Sequence, residues 1–374
     1  MTMKKYKLGE LIELSEERNS KGLYGIESVR GISNAKEIMS TKADVDENVI
    51  RKFYIVNPNQ FIYNPRTTRM GDKVGLAYNN TDKPLLFSFN NIAFKIKKSA
   101  KELILPQYLY MFYNRSEFDR FAITNSWGSA TELFSFEEMC DIDITLPSIE
   151  QQRKYVDVYL ALQNNLAVYQ SKAEELKLVC DGYIEELRRK FGVEPIGPYL
   201  RSVDVRNENL TVTLTQGVDV NMQFIPAKRE AEDQEGTKIV RTGQFAFNKV
   251  VKSNGTKLPI ALREGPDCVI SSSYEVFEVV DKEKLISEYL MLWLSRSETH
   301  RQCGYKSYGT TRDVFPFEDL CKLQFPIPNI EIQKDIANIY KCYIERQRIA
   351  EALKEQLKNI CPVLIRGSLL ETDN

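Results

Sequence analysis

LPSIEQQRKY at positions 146–155 decides how the chain is read, because IPNIEIQKDI at 327–336 repeats it 181 positions later. The offset holds on either side. FSFEEMC (134–140) returns as FPFEDLC (315–321), and YLYMFYNRSE (108–117) as YLMLWLSRSE (289–298). Gly128 maps onto Gly309 at the same spacing. Further upstream the offset drifts as loops change length: NQFIYN (59–64) pairs with GQFAFN (243–248), and Leu8-Gly9 with Ile196-Gly197. A fixed offset with matched aromatic, proline and cysteine positions is the mark of an internal duplication.

Downstream of each repeated string the chain turns helical. Residues 149–190 contain no proline and one glycine, Gly182. Steps of four and three pick out Tyr155, Tyr159, Leu162, Leu166, Tyr169, Ala173, Leu176, Cys180, Tyr183 and Leu187, all apolar or aromatic. The second seam runs Ile332, Ile336, Ile339, Tyr343, Arg346, Ala350, Leu353, Leu357, Ile360 and Leu364, broken only by Arg346. A period of about 3.5 residues is a coiled-coil seam. Pro362 is expected to kink or end the second helix.

Upstream, runs such as FYIVNPNQFIYN, LLFSFNNIAFKI, LTVTLTQGV and CVISSSYEVFEVV read as strands between turns. LPQYLYMFYNRSEFDRFA (105–122) and KLISEYLMLWLSRSETHRQ (284–302) each read as an amphipathic helix. The expected fold is therefore α+β. Two similar domains, 1–147 and 191–327, are separated by two long helices, 148–190 and 328–374 with its C-terminal tail. An internal repeat with a pseudo-twofold axis would pair the helices antiparallel, as in a homodimer.

Composition excludes several classes. The 374 residues carry 51 Lys plus Arg against 52 Asp plus Glu, a net charge of −1, so no global basic excess marks a lone DNA-binding domain. The N-terminus has no apolar core of a signal peptide, and no apolar run approaches the ~20 residues of a membrane span. Seven scattered cysteines without a CxxC pair read as reduced thiols, which places the chain in the cytoplasm. The single histidine, His300, lies between Glu298 and Arg301 and reads as a solvated helix end. No phosphate loop, GxGxxG or HExxH occurs, nor the Asn-Pro-Pro-aromatic run of amino-methyltransferases, and no metal site is expected. The chain reads as non-catalytic.

Taken together, the repeat, the paired strings and the order domain, helix, domain, helix resemble the specificity subunits of type I restriction-modification systems. The resemblance covers nearly the whole length, though Ile332 stands where the first string has Gln151. It implies that each domain is a target recognition domain reading one half of a split double-stranded DNA sequence. It also implies that the helices dock two methyltransferase subunits and, in a full system, restriction subunits. S-adenosylmethionine, and ATP with magnesium, would then sit in those partners and no cofactor in this chain. The helix-pairing positions would be Tyr155, Tyr159, Leu162, Leu166, Tyr169, Leu176, Ile336, Ile339, Tyr343, Leu353 and Leu357.

DNA contacts need basic, amide and hydroxyl side chains on loops. NPRTTRMGDKVG (64–75) offers Arg66, Arg69 and Lys73 after the repeated strand, and NKVVKSNGTKLP (248–259) offers Lys249, Lys252, Asn254 and Lys257. A second pair of segments places an aromatic before Gly and hydroxyls: Trp127, Ser129 and Thr131 in TNSWGSATE, and Lys306, Tyr308, Thr310, Thr311 and Arg312 in YKSYGTTRD. Residues 1–147 carry 20 basic and 19 acidic groups, and 191–327 carry 17 and 19, so neither domain alone is strongly attracted to DNA. The alternative is a coiled-coil scaffold that reads no DNA, such as a silent allele of a specificity subunit. In that reading the aromatic segments are turns packed on Phe134 or Phe315.

Overall fold

The computed structural model describes residues 3–33, 35–41, 45–67, 73–128, 132–227, 235–250, 257–308 and 313–370. The chain divides into two units, Met1–Tyr169 with Ile349–Asn374, and Gln170–Arg348. Each contains one α+β head and a stretch of both long helices.

In the first unit a four-stranded antiparallel sheet runs in the order Ile12–Leu14, Ile92–Ile96, Phe61–Tyr63, Leu76–Tyr78. The second unit repeats it as Leu200–Val203, Tyr274–Val279, Phe245–Asn248, Ile260–Leu262. Phe61 pairs across the sheet with Phe94, and Phe245 with Phe277, their rings stacked at 5.1 and 4.8 Å. Phe61–Tyr63 and Phe245–Phe247 are buried between apolar layers, which is why FIY and FAF read as continuous apolar runs rather than alternating ones. A terminal ladder closes each head: Lys4–Lys7 on Asp143–Leu146, and Glu194–Pro195 on Gln324–Phe325. Beside it, a Cβ on Gly9 would lie 2.9 Å from Cys140, and one on Gly197 2.9 Å from Cys321, so both repeated glycines are kept for close packing.

Three sequence expectations are corrected. The run 105–122 is two helices, Pro106–Tyr113 and Ser116–Thr124, and its repeat is Ser287–Leu294 and Ser297–Lys306. The breaks fall where Arg115 and Arg296 take extended backbone, after Asn114 and Ser295 turn their side chains back onto the Tyr110 and Leu292 carbonyls. In LTVTLTQGV only Gln216–Val218 is a strand. There the Asn207 side chain captures both the N–H and the carbonyl of Val212, and Leu210 has a φ of 50°. Finally, of the two outcomes expected at Pro362, a kink or an end, the end is excluded, because the second helix continues to Leu370. Cys361, Leu364, Ile365 and Ser368 are buried around and beyond it, so packing holds the turns that lost one backbone bond.

The long helices span Ile149–Phe191 and Ile330–Leu370, 43 and 41 residues. Every position of both heptad seams is buried or half-buried, Arg346 included. Within the first unit the helices run antiparallel. Tyr155 packs against Gly367, Tyr159 reaches the Cys361 thiol, and Val156, Tyr159, Cys361, Leu364 and Ile365 join the core of the head. Burial pushes that thiol up to about 12. Within the second unit they are antiparallel again. Ile336 packs with Ile184 and Leu187, while Tyr340 and Tyr343 lie beside Cys180.

Candidate nucleic-acid interface

The two segments singled out in each head meet. In the first, the strand Phe61–Tyr63 feeds a turn in which Asn64 accepts from the Arg66 N–H at 3.0 Å. Arg66 then lies opposite Leu133 in a backbone bridge, and Leu133 also bridges Trp127. Trp127 and Leu133 exchange N–H···O bonds of 3.1 and 3.0 Å, and Phe134 donates to the Pro65 carbonyl at 2.8 Å. The second head repeats this with different side chains. Asn248 accepts from Val250 at 3.0 Å, Val250 and Tyr308 both bridge Val314, and Phe315 donates to the Lys249 carbonyl at 2.8 Å.

Phe134 and Phe315 are wholly buried and act as the anchors beneath the site. Trp127 and Tyr308 stand outward instead, 68% and 64% exposed. The packed-turn alternative therefore describes the phenylalanines and fails for the aromatics.

The basic groups divide by environment. Lys73, Lys257 and Lys306 are exposed, and Arg66 is half-buried. Lys249 is held by Glu275 at 2.9 Å, which offsets its charge. Arg69, Ser129, Thr131, Lys252, Asn254, Thr310, Thr311 and Arg312 lie outside the described residues.

Two buried polar positions behind the loops escaped the sequence reading. Asp119 is 7% exposed, takes the Val74 N–H on Oδ1 at 3.0 Å, and pairs with the buried Lys36 at 2.8 Å. His300 stands 181 positions on and is 4% exposed, not solvated as its neighbours suggested. Its Nδ1 accepts from the Leu258 N–H at 3.2 Å. Glu298 and Arg301 pair with each other on the outer face, leaving the ring on the inner one. Val74 and Leu258 are the residues where the two basic loops re-enter the sheet layer, so each helix anchors the far end of its head's loop. The signal was present in the 181-residue offset, which aligns Asp119 with His300.

The Lys36 ammonium also donates to the Tyr113 carbonyl, and burial pulls its proton affinity down against the opposing pull of Asp119. Lys36 has a φ of 61° in a hairpin turn closed by Ser33 and Glu37. The same turn in the second head, closed by Asp219 and Gln223, puts Met222 there with a φ of 63°. At the positions equivalent to Lys36 and Asp119 the second head carries Met222 and His300.

Residues 199–359 match the model of the type I restriction modification DNA specificity domain. The first head carries the same sheet order, helix breaks and paired loops as that matched region. The second head and most of the second long helix are thus similar to a type I restriction-modification DNA specificity domain. Among solved structures, the type I restriction-modification S subunit from M. genitalium is 12% identical, with 98% of this chain and 96% of that one covered and a TM-score of 0.62. The HsdS subunit from Thermoanaerobacter tengcongensis is 16% identical over 98% and 96%, with a TM-score of 0.40. At 12% identity the M. genitalium likeness establishes the fold: two α+β heads with two long helices. No helix among the described residues is long and apolar enough to cross a membrane.

Proposed function

We propose that each head reads one half of a split double-stranded DNA target, and that the chain itself is non-catalytic and cytoplasmic. The long helices dock two methyltransferase subunits, and restriction subunits where the full system assembles. Those partners hold S-adenosylmethionine, and ATP with magnesium. The observation that carries this reading is the same convergence in both heads: a basic loop after the central strand, bridged to a segment that presents an exposed aromatic, Trp127 or Tyr308. The backbone frame repeats while the side chains differ, as two readers of different half-sites require. The near-neutral charge of each head supports a division of labour in which the partners supply much of the phosphate attraction.

Methylome sequencing of the host with and without the chain tests it. A split methylated motif that disappears with the chain is the expected result. An unchanged methylome, with the methyltransferase subunits present and active, sinks the reading in favour of the scaffold.

A further inference from the structure

The basic loops are anchored at one end by the backbone bridges to Leu133 and Val314, and at the other by a single side-chain acceptor. That acceptor is a carboxylate in the first head and an imidazole in the second. The two differ in what a proton does to them. A carboxyl group keeps acceptor oxygen in either protonation state, whereas a protonated imidazole carries a hydrogen on both nitrogens and accepts nothing.

We infer that His300 is a positioning residue for the second head's recognition loop, and that its neutral Nδ1 makes reading of the second half-site, but not the first, sensitive to protons on the acid side of neutrality. This rests on the loops being the DNA-reading elements proposed above.

The geometry allows one working state. Leu258 is 2% exposed, so its N–H has no water to turn to, and Nδ1 at 3.2 Å is the acceptor it has. Protonation would set two donors face to face in a dry site. Leu258 would lose its bond, and with it the register of Lys257 on the exposed side of the same backbone. The other ring nitrogen, Nε2, is buried with no hydrogen-bond partner among the described residues, and the Ser295 carbonyl gives the protonated ring only a smaller compensation than burial and Lys257 take away.

Among the described residues the surrounding charges are few. On the loop the facing charge is Lys257, which disfavours a second positive group. On the ring's own helix, Glu298 is occupied by Arg301, and Arg296 is turned to Glu185 on the long helix at 3.2 Å. Cys303 is buried with its thiol pushed up to about 12, and Lys306 is exposed at the helix end. Burial first and Lys257 second hold His300 below the ordinary histidine range, against a smaller opposing pull from the Ser295 carbonyl. The sign follows: the loop is fully anchored above the ordinary histidine value of about 6.5 and is released as pH falls through the lower folded value. In the first head Asp119 keeps Val74 throughout, with Lys36 beside it.

The test uses the full chain assembled with its methyltransferase subunits, and three duplexes: the methylome-defined target, and versions with one or the other half-site scrambled. Discrimination at each half-site is measured from pH 8 to 5.5 at fixed salt. The chain has one histidine, so the ring signals of a histidine-labelled sample report His300 without further assignment. The expected result is about a tenfold loss of discrimination at the second half-site, following the ring titration, with the first half-site flat. His300→Asn supplies a non-titrating acceptor and should keep discrimination at pH 8 while abolishing the pH dependence. A flat second half-site in the wild type, or the same pH dependence in His300→Asn, overturns the proposal. Charge removal at Lys257 separates the two levels. If Lys257→Ala leaves affinity unchanged at pH 8, the loop does not touch DNA and the underlying reading fails as well. If Lys257→Ala weakens binding but pH does not, the positioning role alone is wrong.

Discussion

Gln152 and Gln333 stand 181 positions apart and make the same three hydrogen bonds. Gln152 accepts from the Leu105 N–H at 3.0 Å and donates to the Leu103 and Pro147 carbonyls at 2.8 and 3.0 Å. Gln333 accepts from Ile286 at 3.1 Å and donates to Lys284 and Pro328 at 2.6 and 2.8 Å. Both side chains are completely buried. Each glutamine thus ties three points together: the start of its long helix, the turn before it, and the loop that begins the head's first helix of the pair.

Replacing either glutamine by leucine strands one N–H and two carbonyls in a dry site. The expected cost is about 3 kcal/mol in urea unfolding, at about 1–3 kcal/mol for each buried group left unpaired and with some relaxation. The neighbouring Gln151→Ile should change stability by less than ~0.5 kcal/mol, because Gln151 is half-buried and its repeat is Ile332. Gln151 gives a backbone N–H to Ser148, which any residue supplies, just as Ile332 gives one to Asn329. Equal costs for Gln151 and Gln152 would contradict this assignment.

The latch of the first head makes a second stability test. Lys36→Met leaves Asp119 buried without its cation, a loss on the order of 3–5 kcal/mol. Adding Asp119→His to that variant removes the unpaired buried charge and gives the first head the residues that the second has at the equivalent positions, Met222 and His300, and should recover most of the loss. Thermal unfolding of the two singles and the double gives the coupling directly. Additive losses would mean that the two pairs are not equivalent devices.

How far the sequence could be read depended on whether a feature was local or carried by tertiary contacts. The seams were legible because a 3.5 period is a property of the sequence itself, and Tyr155 through Leu187 all turn inward. The repeated strings were legible as helix entries because Ser148 and Asn329 are side-chain caps. What failed was decided at a distance. LTVTLTQGV alternates like a strand, yet Asn207 holds Val212 out of the ladder. His300 sits among charges, but those charges pair outward and the ring turns in. In the candidate interface, the residue types on the loops were legible, while the anchoring of those loops by Asp119 and His300 required packing that no local pattern encodes.

Trp127→Ala and Tyr308→Ala should leave the fold intact, because each ring is mostly exposed and its backbone bridge does not need the side chain. Stability should change by less than ~0.5 kcal/mol. Affinity of the assembled complex for its target should fall about tenfold for each, as expected for an aromatic contact worth on the order of 1–3 kcal/mol at a nucleic-acid surface. The measurement is titration of a labelled duplex alongside thermal unfolding. Unchanged affinity for both variants would return these segments to ordinary surface.

Charge removal at Lys73 and Lys257 reads the loops more directly. Both ammonium groups are exposed, and neither has an ion pair among those described. A lysine against a phosphate releases about one counterion, so each Lys→Ala should lower the slope of log affinity against log salt by about 0.9. Lys249→Ala should change the slope less, because Glu275 already neutralises that charge. Three equal slopes would show that the Glu275 pairing does not matter to the site.

Recognition should also be modular, and the packing states what a graft must keep. Residues 1–147 can be exchanged for the head of another specificity subunit only if the donor meets the contacts that the helices make within the first unit. Tyr108 bonds the Ser368 hydroxyl at 2.7 Å, and the backbone at Leu103 and Leu105 must meet Gln152. A donor with Tyr and the same backbone at those places should dock without loss. One lacking the tyrosine leaves the buried Ser368 without that partner, although its hydroxyl still donates to the Ile365 carbonyl at 2.7 Å, so the penalty stays at about 1 kcal/mol. The second head keeps its own latch through Gln333 and its own loop anchor at His300, neither of which the graft touches. The methylated motif of the hybrid should therefore change in one half and keep the other. Methylome sequencing decides it: a hybrid that methylates DNA but has altered both halves would mean that the heads do not read independently.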